Sequence, residues 1–559
     1  MVARMRNAPE MMEVDDAHLQ AVLRRVEQAL DDQDSAFIRA VFESYAYVTD
    51  LVEDKNTTIR RLRQLFFGAR TEKTRTVVGG TVDPPPNAPS NGVTTDPQTA
   101  NGQVADPGDA ATAAAGKGHG RNGVEAYQGA ERIDVRHPTL SAGDPCPACR
   151  QGTVYEKTPG VLVRITGQPP LTAKIYQLQK LRCHLCGQVF TAATPAAVGS
   201  QKYDATAGSM IGLLKYGSGL PFNRLEGLQG HLEIPLPAST QWDIVQAVAE
   251  NLAPVYTELI RQAAQGDVLH NDDTTIKILE MMGPRDRPED AVSEDADPAD
   301  QRRGLYTSGV VALRDGQRVA LFFSGRRHAG ENLAQVLKLR AAELPPPIQM
   351  CDALSRNLPK DLQTILGHCL AHARRQFVDV YDRFPEPCRY LLEALAVVYR
   401  NDALAKERAL SAEARLQFHQ RESQPIMQEL HAWLTRQLND QLTEPNSALG
   451  SAIRYMLRHW EKLTLFLRQA GAPLDNNLCE RALKKAILHR KNALFYKTQN
   501  GARVGDLFMS LIYSCQLNGA NPFHYLTEVQ RHTDQVVAQP ALWMPWNYRD
   551  ATIGKSEAS

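Results

Sequence analysis

Val268-Leu269-His270-Asn271-Asp272-Asp273-Thr274-Thr275-Ile276-Lys277-Ile278-Leu279 reads as the first of three successive strands, and the rest of the fold is read outward from it. Leu305 to Leu313 and Arg318 to Ser324 follow as the second and third strands. Ala329 to Leu339 then reads as a helix and Ile348 to Leu354 as a buried strand. Pro359 to Leu366 fits a short helix, and His368 to Ala371 a short strand.

Three strands followed by alternating helix and strand predict an α/β fold of RNase H-like order, a mixed sheet with helices on its faces. Acids fall where such a sheet could use them. Asp272 and Asp273 lie in the first strand, and their spacing alone does not choose between them. Asp352 lies at the end of the fourth strand. Carboxylates at neighbouring strand ends can bind hard divalent cations through oxygen. A third acid on a helix would complete a site for in-line displacement at phosphorus. Asp475-Asn476-Asn477-Leu478-Cys479-Glu480-Arg481 supplies one, because Asp475 and Asn476 are good helix N-cap types and a helix then runs on through Ala482 to Leu488. From Arg481 to Gly505 the chain has seven Lys or Arg and no acid. At 100° per residue Glu480, Lys484 and Lys491 share one face. A metal ligand beside a phosphate backbone fits this pattern; so does an ordinary solvated helix with a Glu480–Lys484 pair.

The chain has 559 residues, too many for one hydrophobic core. Its formal charge is zero, so a nucleic-acid partner would have to be met by local basic patches. The acidic N-terminus has no apolar signal-like stretch, and no apolar run reaches the roughly 20 residues of a membrane span, which makes the cytoplasm the expected location. Four of the nine cysteines form two pairs, Cys146-Pro147-Ala148-Cys149 and Cys183-His184-Leu185-Cys186. Two such knuckles can close one tetrahedral Zn²⁺ site, structural because no position stays open. Cys369 and His372 supply only two further ligands, and a structural or DNA-positioning role is expected for them.

Ile38, Val41, Tyr45, Val48, Val52, Lys55, Ile59, Leu62 and Phe66 alternate steps of three and four, a heptad seam that predicts coiled-coil self-association, the alternative being an amphipathic helix packed on its own protein. The expected organisation is N-terminal coiled-coil helices over residues 1–74, a flexible Pro- and Gly-rich linker over 75–140 and a zinc ribbon over 141–195. A helical DNA-binding segment follows over 196–265, then the first part of the RNase H-like core over 266–377. A helical insertion over 378–470, the last part of the core with its glutamate over 471–505, and a C-terminal segment over 506–559 complete it. The polar stretch Gly283 to Arg303 reads as a solvated loop.

Several multi-residue strings resemble, in order, those of insertion sequence 66 family transposases. Leu62-Arg63-Gln64-Leu65-Phe66-Phe67-Gly68 is similar to the end of that family's N-terminal zipper, and the cysteine pairs look like its zinc-binding domain. His270-Asn271-Asp272-Asp273-Thr274 resembles its first acidic motif, Cys369-Leu370-Ala371-His372-Ala373-Arg374-Arg375-Gln376-Phe377 a further family string, and Asp475 to Arg481 with Arg490-Lys491-Asn492-Ala493-Leu494-Phe495 its third acidic motif. The resemblance implies a DDE-type transposase that binds element ends, cleaves DNA and transfers 3′ ends to target DNA. It implies Asp272, Asp352 and Glu480 as catalytic ligands of two Mg²⁺ (or Mn²⁺) ions, and Cys146, Cys149, Cys183 and Cys186 as ligands of one structural Zn²⁺. Arg481, Lys484, Arg490 and Lys491 would hold DNA. A homo-oligomer through the coiled coil, accessory proteins of the same element and a bacterial, nucleoid-associated location complete the expectation. The competing reading from another class is a catalytically inactive zinc-ribbon DNA-binding regulator; a nuclease that cuts without joining is a third.

The purified chain is expected to carry one Zn²⁺, and Cys183→Ser to lose it, because metal binding and folding are one equilibrium in such small modules. Elemental analysis of both proteins checks this; a parent free of zinc contradicts it.

Overall fold

The computed structural model describes residues 201–282, 302–360 and 362–553, with shorter pieces at 137–145, 147, 153–155, 168–182, 189–195 and 198–199. The seam from Ile38 to Phe66, the linker as far as residue 136, Cys146, Cys149, Cys183, Cys186 and the polar stretch over 283–301 lie outside the described residues.

In chain order the elements are β1 (Lys180–Arg182), β2 (Val189–Thr191), α1 (Ala205–Gly212), α2 (Phe222–His231), α3 (Ala238–Ala264), β3 (Val268–Thr275), β4 (Tyr306–Arg314), β5 (Gln317–Gly325), α4 (Ala329–Leu337), β6 (Ile348–Cys351) and β7 (Ile365–His368). The helices α5 (Leu370–Val380), α6 (Pro385–Glu407), α7 (Ala412–Glu422), α8 (Gln424–Asn439), α9 (Ala448–Arg458) and α10 (Trp460–Leu463) follow. The chain closes with α11 (Asn477–Ala493), α12 (Gln499–Leu517), α13 (Pro522–Arg531), α14 (Thr533–Ala538) and α15 (Tyr548–Ile553). The result is a mixed α/β protein. Its described residues fall into two compact units, one of 137–347, 355–363 and 478–553, the other of 348–354 and 364–477.

In the first unit β3, β4 and β5 form an antiparallel meander, with Asp272 opposite Gly309 and Asp273 opposite Ser308. Asp315 and Gly316, at φ 49° and 80°, make the two-residue turn between β4 and β5. Positive φ at both positions matches the twist of the paired strands. Apolar side chains of α3 (Val245, Leu252, Val255, Leu259), of β4 and β5 (Val310, Val311, Leu321, Phe322) and of α12 (Phe508, Leu511, Ile512) share one core. The expected helical segment over 196–265 is thus packed into the same core as the meander, and α12 runs unbroken through 505 and 506.

The outer edge of β5 is covered by α12. Ser324 N–H donates to Asp506 Oδ2 (2.6 Å), Phe322 N–H to Ser510 Oγ (2.9 Å), Ala320 N–H to Ser514 Oγ (2.9 Å) and Arg318 N–H to Asn518 Oδ1 (3.1 Å). Four helical residues rise about 6 Å and two strand residues about 6.7 Å, so polar side chains four apart on the helix keep step with alternate strand amides. An open strand edge would otherwise offer these amides to another chain.

The second unit holds the parallel pair β6–β7, in which Ile348 faces Ile365 and Cys351 faces His368. The short helix read over Pro359 to Leu366 is not formed. Ile365 and Leu366 pair with Ile348 and Gln349 as strand instead, and the helix begins at Leu370, where Leu370, Ala373 and Phe377 make a buried stripe. Pairing to β6 outweighs local helix propensity here. On α6 the buried Asp402 accepts from Arg415 of α7 (2.7 Å), and lies 2.6 Å from Lys406 Nζ and 3.3 Å from His419 Nε2.

Burial raises the carboxyl of Asp506 to about 7, against the lowering effect of its two bonds from Ser324. A raised carboxyl stabilises the fold fully below its unfolded value near 3.8, and that contribution declines as pH climbs towards 7. Asp506→Asn keeps an acceptor for Ser324 and does not titrate. Its melting temperature should therefore gain on the parent's between pH 4 and 7. A variant that loses ground over that range would show Asp506 to be held as a carboxylate.

Candidate functional site

Side chains alternate across a strand, so Asp272 and Asp273 leave β3 on opposite faces. Asp273 points to the face covered by α4, where its side chain is only 2% exposed. It lies 2.8 Å from His328 Nδ1 and 3.4 Å from Arg356. Ser308, its partner across the ladder, accepts from Asn332 of α4 at 2.9 Å on the same face. Asp273 is thus held between two basic side chains.

Asp272 shares the other face with Gly309, and α11 packs on that face. A Cβ on Gly309 would stand 3.1 Å from Leu483 and 3.3 Å from Cys479, and the Cys479 thiol donates to the Gly309 carbonyl at 3.4 Å. Glycine therefore lets the first turns of α11 lie against the residue directly opposite Asp272. A second anchor holds the other end of the helix: Arg490 donates to the Thr274 hydroxyl (3.3 Å), to the Thr275 hydroxyl (2.7 Å) and to the Thr275 carbonyl. Asp272 is half-buried; its Oδ1 accepts from the Asp273 N–H at 2.8 Å and, more weakly, from Asn357 at 3.5 Å.

On α11 the buried positions are Cys479, Ala482, Leu483, Ala486 and His489, and the exposed ones include Arg481, Lys484, Leu488 and Lys491. Glu480 is intermediate, with Oε1 shielded from solvent. The structure therefore places Asp272 and the Glu480 turn on one face of the meander. It gives Arg481, Lys484 and Lys491 to solvent, whereas Arg490 is engaged in clamping β3.

Asp352 belongs to the second unit, directly after β6. Burial, and next the charge of Asp352, push the nearby Tyr455 hydroxyl up to about 12. In the same unit Cys369 precedes α5; its N–H donates to Cys351 (2.9 Å), and its sulfur accepts from Asn476 N–H at 3.2 Å. Asp475 accepts from the N–H of Asn477 at 3.1 Å and from its side chain at 2.8 Å, which orders the entry to α11. The described residues that flank the two cysteine pairs in the chain meet as antiparallel partners. Pro145 bridges to Thr153 around the first, and β1 pairs with β2 around the second.

Sequence reasoning did not find His328, Arg356 or Gly309. The first two lie far from Asp273 along the chain and carry no local pattern. A glycine inside a strand was the available signal for the third, since it marks a close approach of another element.

Fold and site together define a mixed α/β protein in which a basic helix lies across an acid-bearing strand. The transposase IS66 family model matches residues 202–504, more than half of the chain, and the chain belongs to that family. Three uncharacterized proteins of Sinorhizobium fredii are similar. The protein y4jD is 35% identical over 195 residues, 34% of this chain and 37% of that protein. The protein y4hP is 27% identical over 456 residues, 76% of each chain, and y4qI 24% over 350 residues, 62% of each. The chain thus spans little more than a third of the first relative and about three quarters of the second. No helix among the described residues is long and apolar enough to cross a membrane.

The opposed faces predict opposed effects on stability. Asp273→Ala strands His328 and Arg356 and should cost about 1–3 kcal/mol. Asp272→Ala, at a half-buried position, should cost less than half as much. Thermal melts of the two variants check this, and equal losses would contradict the assignment of faces.

Proposed function

We propose that the chain is a DDE-type transposase with an RNase H-like core, which binds element ends, cuts DNA and joins the freed 3′ ends to target DNA. The observation that supports this reading is the packing of Cys479 and Leu483, which flank Glu480 on α11, against Gly309, the residue opposite Asp272. Asp272, Asp352 and Glu480 are the proposed catalytic carboxylates. For Asp352, in the other unit, the support is the family resemblance of its motifs.

Half-buried carboxylates are hard oxygen donors, and they fit Mg²⁺ or Mn²⁺. Two such ions, when bound, would sharpen the attacking oxygen and neutralise the leaving one. The protein's own contribution is to position. Gly309 sets the depth of α11, Arg490 fixes its far end to β3, and Asp273, tied to His328 and Arg356, holds the register of the strand that presents Asp272. Arg481, Lys484 and Lys491 are the proposed phosphate contacts, an attraction that should fall steeply with salt. The cysteine pairs are the proposed ligands of a structural Zn²⁺, and the N-terminal seam the proposed oligomerisation element.

Labelled DNA carrying the element's own ends tests the reading. With Mg²⁺ the parent should cut and join. Asp272→Ala and Glu480→Ala should each bind the DNA yet lose cleavage by several orders of magnitude, and Asp273→Ala should retain appreciable cleavage where it folds. A parent that binds the ends but never cuts, with Mg²⁺ or Mn²⁺, would make the chain a DNA-binding regulator. Cutting without joining would make it a nuclease.

A further inference from the structure

Past α11 the chain turns back on β3 and builds a pocket that the carboxylate site does not use. Leu494 adopts φ 67°, a left-handed conformation that is strained for a leucine. The next residues add to the continuation of β3: Tyr496 N–H donates to Lys277 (2.9 Å), Leu279 N–H to Tyr496 (2.9 Å) and Glu280 N–H to Lys497 (3.1 Å). The pocket between this segment, α2 and α3 holds about 790 Å³, within the range of small-ligand sites.

Its lining combines two chemistries. Phe222, Trp242 and Phe495 offer aromatic surfaces, and Lys215, Lys497 and Arg503 offer positive charge. Glu280 is the one acid in the lining, and it accepts from the Gln499 N–H at 2.7 Å. Lys215 is the informative member. A π-helical turn, Leu213–Gly217, carries it inward; only 8% of it is exposed, and its ammonium lies 4.8 Å from the Phe222 ring centre. No carboxylate pairs with it among the described residues. Burial lowers it to about 8, so its charge is costly until an anion arrives. Phe495 is 42% exposed at the pocket, an apolar ring left open beside cations.

We propose that this pocket takes one unpaired nucleotide of the DNA strand, its base stacked among Phe222, Trp242 and Phe495 and its phosphate drawn to Lys215, Lys497 and Arg503. The inference rests on the reading of the chain as a DNA-binding protein. The placement suits it. The exposed Arg481, Lys484 and Lys491 run for roughly 15 Å along α11 towards the pocket, a path for a backbone of two or three nucleotides. Stacking on aromatic faces with flanking cations is how unpaired strands are held without regard to sequence.

Fluorescence of the full chain with two DNA probes tests this: a blunt duplex, and the same duplex with a single-nucleotide overhang of 2-aminopurine. The parent should bind the overhang probe more tightly and quench its 2-aminopurine. Phe495→Ala, at an exposed position, should weaken overhang binding about tenfold, the order of one lost base stack, and leave the blunt duplex unaffected. Trp242→Phe should keep the quenching, whereas Lys215→Gln should weaken overhang binding alone. Equal binding of both probes by the parent, or unchanged overhang binding by Phe495→Ala and Lys215→Gln, overturns the proposal. Displacement by millimolar free dAMP would overturn it in favour of a mononucleotide site. Failure of the parent to bind either probe would instead be a failure of the DNA-binding reading.

Discussion

The approach of α11 to β4 at Gly309 is the contact on which the site's arrangement rests. A helix lies this close to a strand without adjustment where the strand residue has no side chain, and β4 provides such a position directly opposite Asp272. Even a methyl group there would press on Leu483 and Cys479 at 3.1 and 3.3 Å, so the helix would have to give by a few tenths of an ångström. The clamp of Arg490 on Thr274 and Thr275 anchors the far end of the same helix to β3.

Strand alternation then separates two chemically identical neighbours. Asp273 is buried between His328 and Arg356 and serves the sheet, whereas Asp272 emerges on the face of α11. A buried carboxylate tied to two basic groups is costly to disturb. The far edge of the same meander is kept in order by α12, whose Asp506, Ser510, Ser514 and Asn518 occupy the amides of β5. Side chains thus guard the edge that backbone pairing leaves open.

The strand order from Val268 to Ser324 was legible in the sequence: β4 and β5 carry the apolar runs Val310 to Leu313 and Val319 to Phe323 on either side of the turn at Asp315-Gly316, and β3, β4 and β5 fall within a few residues of their expected limits. The helix after Asp475 was legible from its N-terminal residues and its charge pattern. β7 was misplaced: a short strand was read at His368 to Ala371, whereas pairing with β6 sets it at Ile365 to His368 and the helix already begins at Leu370. The choice between Asp272 and Asp273 rested on resemblance alone in the sequence; the opposing positions of Gly309 and Ser308 supply a physical reason, which needs the ladder register to be known. The partners of Asp273 were out of reach, since His328 and Arg356 stand 55 and about 80 residues away along the chain. The edge ladder on α12 did leave a trace, polar residues at four-residue steps in an otherwise apolar helix.

The central claim is that Asp272 and Glu480 together hold a divalent ion while Asp273 does not. Electron paramagnetic resonance of Mn²⁺ titrated into the full chain with duplex DNA measures this without reference to turnover. The account predicts tight Mn²⁺ binding by the parent and by Asp273→Asn, and its loss in both Asp272→Asn and Glu480→Gln. Retention of the ion by Asp272→Asn together with its loss in Asp273→Asn would contradict it.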